Sequence, residues 1–525
     1  MTGGIQGLDA QAQAQYARAA DALTAGKPRE AAALAKVLVE QAPEHPDVLH
    51  LLAGIRGRLG DHAGAVNAAR QALHARPDDA TFCCTLGKQL AAIGQLDAAI
   101  EALQRACALQ PELAMAWYNL GVLQVRAVRF NEAEAALRRT LELVPDNLQA
   151  RLQLADLLKM AGRVDAAAAT WREVLAARPA SGDAWWGLAE LGQAGDDDIP
   201  AMQVAMRDPR ASERDRIALG FAIARVLDRS DRCAEAMGVL KETHAHARKL
   251  QPWDAAAFAR GLDAVLAAFA ATRVTGAACG HGAIFIASLP RSGSTLTEQV
   301  LAAHSQVEAS GELRDLPQVL AEESRQRGRH YPEWVSSMAE DDWRRLGERY
   351  LERTARWRER KPFFTDKLPG NWMHVGVIRA MLPGAKVIVC RRDPLETCFS
   401  CYRQYMTADG QGWTHRFEDL AAYWNVFDRA LWQWQARYPG FVYTQEYETL
   451  LAEPEASVRA LLAFCGLPFE DACLAFGAGS REVRSPSAMQ VREPLRRDTA
   501  RAPRYGALLD PLRSALGVID IQSAH

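Results

Sequence analysis

Three short stretches of this sequence carry residue types suited to anions and proton transfer. SLPRSGSTL, residues 288–296, follows the apolar run AIFIA and leads into LTEQVLAAH. Gly293 lets backbone N–H groups approach an anion. Ser294 and Thr295 stand at the first turn of the following helix, where backbone donors and the helix dipole favour phosphate. Compared with the phosphate loop G-x-x-x-x-G-K-[ST], Ser288 replaces the first glycine and Ser294 replaces the lysine, leaving Arg291 as the only nearby cation. Such a loop has no clamp for β- and γ-phosphates, which argues against triphosphate hydrolysis. It remains suited to one phosphate and its attached group.

A second stretch, AKVIVC followed by Arg391, Arg392, Asp393 and Pro394, repeats the strand-to-helix pattern. Asp393 suits an N-cap and Pro394 the first helical position. Arg392 at the strand end and Ser400 along the helix could bracket a second phosphate. Two phosphate sites with no lysine between them imply a nucleotide phosphorylated on different sugar oxygens. Glu312, in SGELRD, lies 21 residues after Arg291, and Lys367 lies in FFTDKLPGN. A carboxylate and an ammonium beside a phosphate loop suit a general base and a leaving-group cation; a solvated surface pair is the alternative.

These residues need a scaffold that brings strand ends together. From residue 283, short β-rich runs alternate with amphipathic helices, which implies βαβ units and a parallel sheet with ligands at the carboxyl ends of its strands. The first half differs. Pro43, Pro77, Pro111, Pro145 and Pro179 recur every 34 residues, as do Ala31, Ala65, Ala99, Ala133 and Ala167, and Leu52, Leu86, Leu120, Leu154 and Leu188. Gly26, Gly60, Gly94 and Gly162 share a further column, broken by Val128. The reading is a helix, a tight turn at glycine, a second helix whose alanine permits close approach, and a terminating proline. Such pairs bury their apolar faces only by stacking on neighbours.

Residues 181–280 lose the period but stay helix-like, and ATRVTGAACGHG suggests a linker. The expected organisation is a repeat solenoid at 10–180, degenerate helical pairs and a linker at 181–280, and an α/β domain at 283–517. The formal net charge of -2 over 525 residues gives no global basic field for nucleic acid. The start lacks a basic and apolar leader, and no 18-residue apolar run occurs, so the expected location is cytoplasmic with no membrane span. Ten scattered cysteines show no disulfide framework, and Cys398 and Cys401 read as packed core rather than a metal or redox pair. His304 reads as a helix-end turn residue, and the tryptophans of WNVFDRALWQW as core.

The 34-residue pattern, as in AWYNLGVLQVRAVRFNEAEAALRRTLELVP, resembles the tetratricopeptide repeat, which implies an all-α solenoid whose concave surface binds peptides or proteins; a purely structural spacer is the alternative. PRSGSTL, SGELR, TDKLP and RRDPLETCFS together resemble the sulfotransferases that use 3′-phosphoadenosine 5′-phosphosulfate (PAPS), most closely the tyrosylprotein-sulfotransferase-like branch. That resemblance implies an α/β P-loop-like three-layer fold, no metal, and an acceptor hydroxyl that could belong to a protein tyrosine. It places Arg291, Ser292, Gly293, Ser294 and Thr295 on the 5′-phosphosulfate, and Arg392 and Ser400 on the 3′-phosphate. Glu312 becomes the base, Lys367 the cation at the bridging oxygen, and Arg314 a residue near the acceptor. Tyr447 and Ser487 resemble further nucleotide-site residues. Arg501 matches a late basic residue on the 3′-phosphate, although Ala502 stands where an aromatic residue is usual; Arg497 and Arg504 are the alternatives. Two other readings stay open. A P-loop kinase or nucleotide hydrolase is opposed by Ser294, and an inactive nucleotide-binding scaffold by Glu312 and Lys367.

Overall fold

The computed structural model describes residues 7–270, 272, 279–406, 410–475 and 500–517. Two compact units emerge, Met1–Val174 and Leu175–His525. No helix among the described residues is long and apolar enough to cross a membrane.

The first unit is a row of antiparallel helix pairs: Ala10–Thr24 with Pro28–Gln41, Pro46–Arg58 with His62–Ala75, Ala80–Ala92 with Leu96–Leu109, and Ala114–Arg126 with Phe130–Leu143. Each column of the sequence acquires a physical role. The alanines at 31, 65, 99, 133 and 167 are all fully buried, because a larger side chain there would push the paired helices apart. Prolines 43, 77, 111 and 145 follow the second helices, whose ladders they cannot continue. Glycines 26, 60, 94 and 162 have φ of 75°, 87°, 82° and 78°, the left-handed turn between paired helices. Val128 does not escape that requirement. It adopts the same turn at φ 60°, where a β-branched side chain is strained.

In the second unit five parallel strands form one sheet in the order β2-β3-β1-β4-β5: β1 Ala283–Ser288, β2 Val307–Ala309, β3 Phe363–Lys367, β4 Lys386–Arg391 and β5 Val442–Glu446. All six residues of β1 are buried. Phe285, Ala287, Val387 and Val389 enter one core, while Ile284, Ile286, Ile388 and Cys390 enter another. Helices therefore cover both faces, as expected for a parallel sheet read as continuous apolar runs. The chain builds β2 and β3 on one side of β1, then crosses to β4 and β5 on the other. That reversal opens a crevice at the carboxyl ends of β1 and β4.

The helices between the repeats and β1 belong to this second unit. Gly182–Leu191, Ile199–Arg207, Glu213–Arg229, Cys233–Leu250 and Ala255–Ala270 contribute Trp186, Phe221, Met237 and Phe269 to the same core as Phe285 and Val387. Buried His244 donates from Nε2 to the Tyr402 carbonyl at 2.7 Å and meets His415 Nδ1 at 3.0 Å. Burial lowers the pKa of His244 to about 3 and that of His415 to about 4, so both rings are neutral packing elements at neutral pH. Most of the expected linker lies outside the described residues.

The Val128→Gly variant should raise the thermal unfolding midpoint of the repeats, because about 1 kcal/mol of left-handed strain is relieved net of the added chain entropy. Circular dichroism melts of the two proteins check this. A lowered midpoint would contradict the strain at this turn.

Candidate active site

The turn after β1 is shaped by two residues with positive φ, Arg291 at 70° and Gly293 at 89°. Gly293 precedes the helix Ser294–Ala302, whose first residues Ser294 and Thr295 are 7% and 6% exposed. A Cβ at Gly293 would lie 2.6 Å from Cδ2 of Tyr447, so both conformation and space demand glycine. The Ser292 hydroxyl is buried with no hydrogen-bond partner among the described residues. An orphaned hydroxyl within an amide-rich turn is what an incoming oxyanion would satisfy.

At the end of β4 the two arginines diverge. Arg391 pairs with Asp428 at 2.6 Å and Glu446 at 3.6 Å. Arg392 turns toward the β1 loop, its Nη1 donating to the Arg291 carbonyl at 3.4 Å, its Nη2 3.6 Å from Glu396, and its guanidinium 4.8 Å above the Tyr447 ring. Its Nε is buried without a partner among the described residues. Asp393 caps the next helix, Pro394–Tyr402, by accepting from the Glu396 amide at 2.8 Å, which aims the backbone and places Ser400 two turns on. Arg291 then departs from the sequence reading. Its Nε donates to Ser400 Oγ at 3.1 Å, so its guanidinium serves the Ser400 side of the cleft while its backbone shapes the β1 turn. Burial lowers the Arg291 pKa, the nearby cations Arg403 and Arg392 adding to the effect.

Glu312 and Lys367 lie past the ends of β2 and β3 and meet at 2.8 Å. This is no solvated surface pair, because the Lys367 side chain is only 1% exposed while Glu312 is 42% exposed. A third carboxylate holds the geometry. Buried Glu298, on the helix after the β1 loop, accepts from the Gly311 amide at 3.0 Å and the Thr365 hydroxyl at 2.8 Å, tying the segment before Glu312 to the strand that carries Lys367. Burial raises the Glu298 pKa, with Lys367 opposing. One residue before Lys367, buried Asp366 receives the Tyr350 hydroxyl at 2.7 Å and the Asn371 amide at 3.1 Å, and burial pushes its pKa up to about 8.

Some expected residues stand elsewhere. Arg314 is exposed, just before the helix Asp315–Arg327. Arg501 is exposed, and its backbone amide, with that of Ala502, donates to the Glu396 carboxylate at 3.0 and 2.7 Å. Arg504 is taken up by Asp231 and the Asp228 carbonyl. Ser487 and Arg497 lie outside the described residues. His304 is buried, bonded through Nε2 to the Pro468 carbonyl at 2.9 Å, and Cys398 and Cys401 are buried thiols. Among the described residues no cluster of three or more His, Cys, Asp or Glu could hold a metal. Glu298, Glu396 and Arg403 went unread in the sequence. The only signal was their placement one or two helical turns past the anion-loop residues.

The family model described as sulfotransferase family matches residues 283–471, and tetratricopeptide-repeat models match residues 16–80, 87–127 and 124–191. The chain thus carries tetratricopeptide repeats followed by a sulfotransferase-family domain. An uncharacterized protein of Aquifex aeolicus is 30% identical over 335 residues, covering 61% of this chain and 44% of that one. Protein-tyrosine sulfotransferase A of Caenorhabditis elegans is 26% identical, covering 36% of this chain and 51% of its own length. The chain therefore spans about half the length of these curated relatives. Among solved structures, a thermophilic tetratricopeptide-repeat protein of Thermus thermophilus is 22% identical at TM-score 0.31, covering 35% of this chain and 100% of that one.

Gly293→Ala should weaken anion binding at the β1 loop at least tenfold, since both the positive φ and the Tyr447 ring oppose a methyl group. Titration of the folded variant with adenosine 3′,5′-bisphosphate checks this. Unchanged affinity would show that the loop does not bind through its tight turn.

Proposed function

We propose that the second unit transfers a sulfuryl group from PAPS to an acceptor hydroxyl, and that the acceptor is a protein tyrosine. The observation that carries the reading is the convergence of two arginine-bearing loops on one crevice, Arg392 donating to the Arg291 carbonyl and Arg291 to Ser400, with Glu312 and Lys367 at adjacent strand ends. The residues present fit the donor. The Ser292–Thr295 turn offers backbone donors and an orphaned hydroxyl for the 5′-phosphosulfate. Arg392, with an unsatisfied Nε, and Ser400 suit a 3′-phosphate.

In this reading Glu312 takes the acceptor's hydroxyl proton as the new O–S bond forms. A tyrosine phenol has a pKa near 10, so removal accompanies bond formation rather than preceding it. The old S–O bond to the phosphate oxygen breaks, and adenosine 3′,5′-bisphosphate departs. Lys367, buried and pinned by Glu312, meets the negative charge that gathers on that oxygen. Sulfuryl transfer resembles phosphoryl transfer in its loose transition state, so charge placement and alignment supply most of the rate and no metal is needed. Arg314, exposed beside Glu312, is placed to meet the acceptor, and the repeats recruit the acceptor protein or a partner.

The test is transfer of radiolabelled sulfate from PAPS to a tyrosine peptide. Glu312→Ala should lower turnover by about a hundredfold or more while bisphosphate binding persists. Transfer by the variant at the parental rate, or magnesium-dependent phosphate transfer from ATP by the parent, would contradict the reading.

A further inference from the structure

The crevice has a third wall outside the region matched to the sulfotransferase family. Helix Glu213–Arg229 runs along the end of the helix that carries Ser400. Phe221 packs on Tyr405 with ring centroids 5.6 Å apart. Asp228, 4% exposed, receives Arg403 at 2.8 Å and the Tyr505 hydroxyl at 2.8 Å. Arg225 lies four residues after Phe221 and three before Asp228, on the helix face that makes both contacts.

The charges around Arg225 are mostly of its own sign. Arg403 and Arg291 act on it most strongly, ahead of the carboxylates Glu190 and Asp228. Asp228 is already engaged by Arg403 and Tyr505, and Gln404 approaches Glu190 at 3.5 Å. Among the described residues the Arg225 side chain makes no hydrogen bond or ion pair. Burial and these cations lower its pKa to about 10. A mostly buried guanidinium beside two others costs stability in the free protein unless an anion joins them. Its neighbours also fix which anion. Arg291 donates to Ser400, and Arg403 follows Ser400 by three residues, so this wall faces the Ser400 end of the crevice rather than the Ser292–Thr295 turn.

We infer that Arg225 is a donor-binding residue for the 3′-phosphate, completing with Arg392 and Ser400 a pocket for a phosphate dianion on a ribose 3′ oxygen. The inference rests on the proposed donor. It makes the helices before β1 part of the site rather than a spacer, and Arg225 a determinant of selectivity for 3′-phosphorylated nucleotides.

The full chain and its Arg225→Met and Arg225→Lys variants are titrated calorimetrically with adenosine 3′,5′-bisphosphate and with adenosine 5′-monophosphate, and melted without ligand. Arg225→Met should lose about tenfold or more in affinity for the bisphosphate and less than about twofold for the monophosphate. Its unliganded melting midpoint should stay level or rise, and Arg225→Lys should fall between the two. Bisphosphate affinity unchanged in Arg225→Met, equal loss for both nucleotides, or a lowered midpoint accompanying the loss would overturn the assignment while leaving the donor reading intact. Failure of the parent chain to bind the bisphosphate would overturn both.

Discussion

The contact on which the crevice depends is the Tyr447 ring, held between a backbone that lacks a Cβ and a guanidinium. Gly293 leaves room for the ring's edge, and Arg392 stacks 4.8 Å above its face. Three strand ends meet there, since Gly293 follows β1, Arg392 follows β4 and Tyr447 follows β5. An arginine on an aromatic face contributes about 0.5–2 kcal/mol, more as water is excluded. Its larger effect is directional: an arginine stacked on a ring cannot swing out to solvent, so both loops present their donors to the same space.

Around that contact the site concentrates positive charge with few paired acids. Arg291 and Arg392 lie within one hydrogen-bond chain, and Glu396 divides its carboxylate between Arg392 and two backbone amides of the carboxyl-terminal segment. A separate balanced pair, Glu312 with Lys367, stands past β2 and β3. The topology separates the two functions. Anion binding belongs to the crevice between β1 and β4, and proton handling to the strands on the far side of β1. Glu298 links them, because it starts on the loop helix and ends hydrogen-bonded to Gly311 and Thr365.

Much of this was legible in the sequence where local rules are strict. The glycine and proline columns mark turns with one allowed geometry, and Asp393-Pro394 announces a helix start. Strand ends in a parallel sheet gather their ligands, so Arg392, Ser400, Glu312 and Lys367 could be singled out by position alone. What local rules could not supply were choices made by tertiary packing. Arg291 carries its charge to Ser400, 109 residues away. Val128 takes a glycine's conformation because its repeat requires the turn. Helices 182–270, lacking the 34-residue period, read as a transition, yet their apolar faces enter the core beneath the sheet. Glu298 looked like one more polar residue on an amphipathic helix, and only the fold shows it buried between two strands.

The central claim is that one nucleotide spans the two loops, its phosphates on different sugar oxygens. A crystal structure of the full chain with adenosine 3′,5′-bisphosphate tests it most directly. The account predicts the 5′-phosphate in the Ser292–Thr295 turn and the 3′-phosphate between Arg392 and Ser400, with Glu312 and Lys367 facing the 5′ end. Both phosphates strung along the β1 turn, or a nucleotide seated away from Arg392, would contradict it.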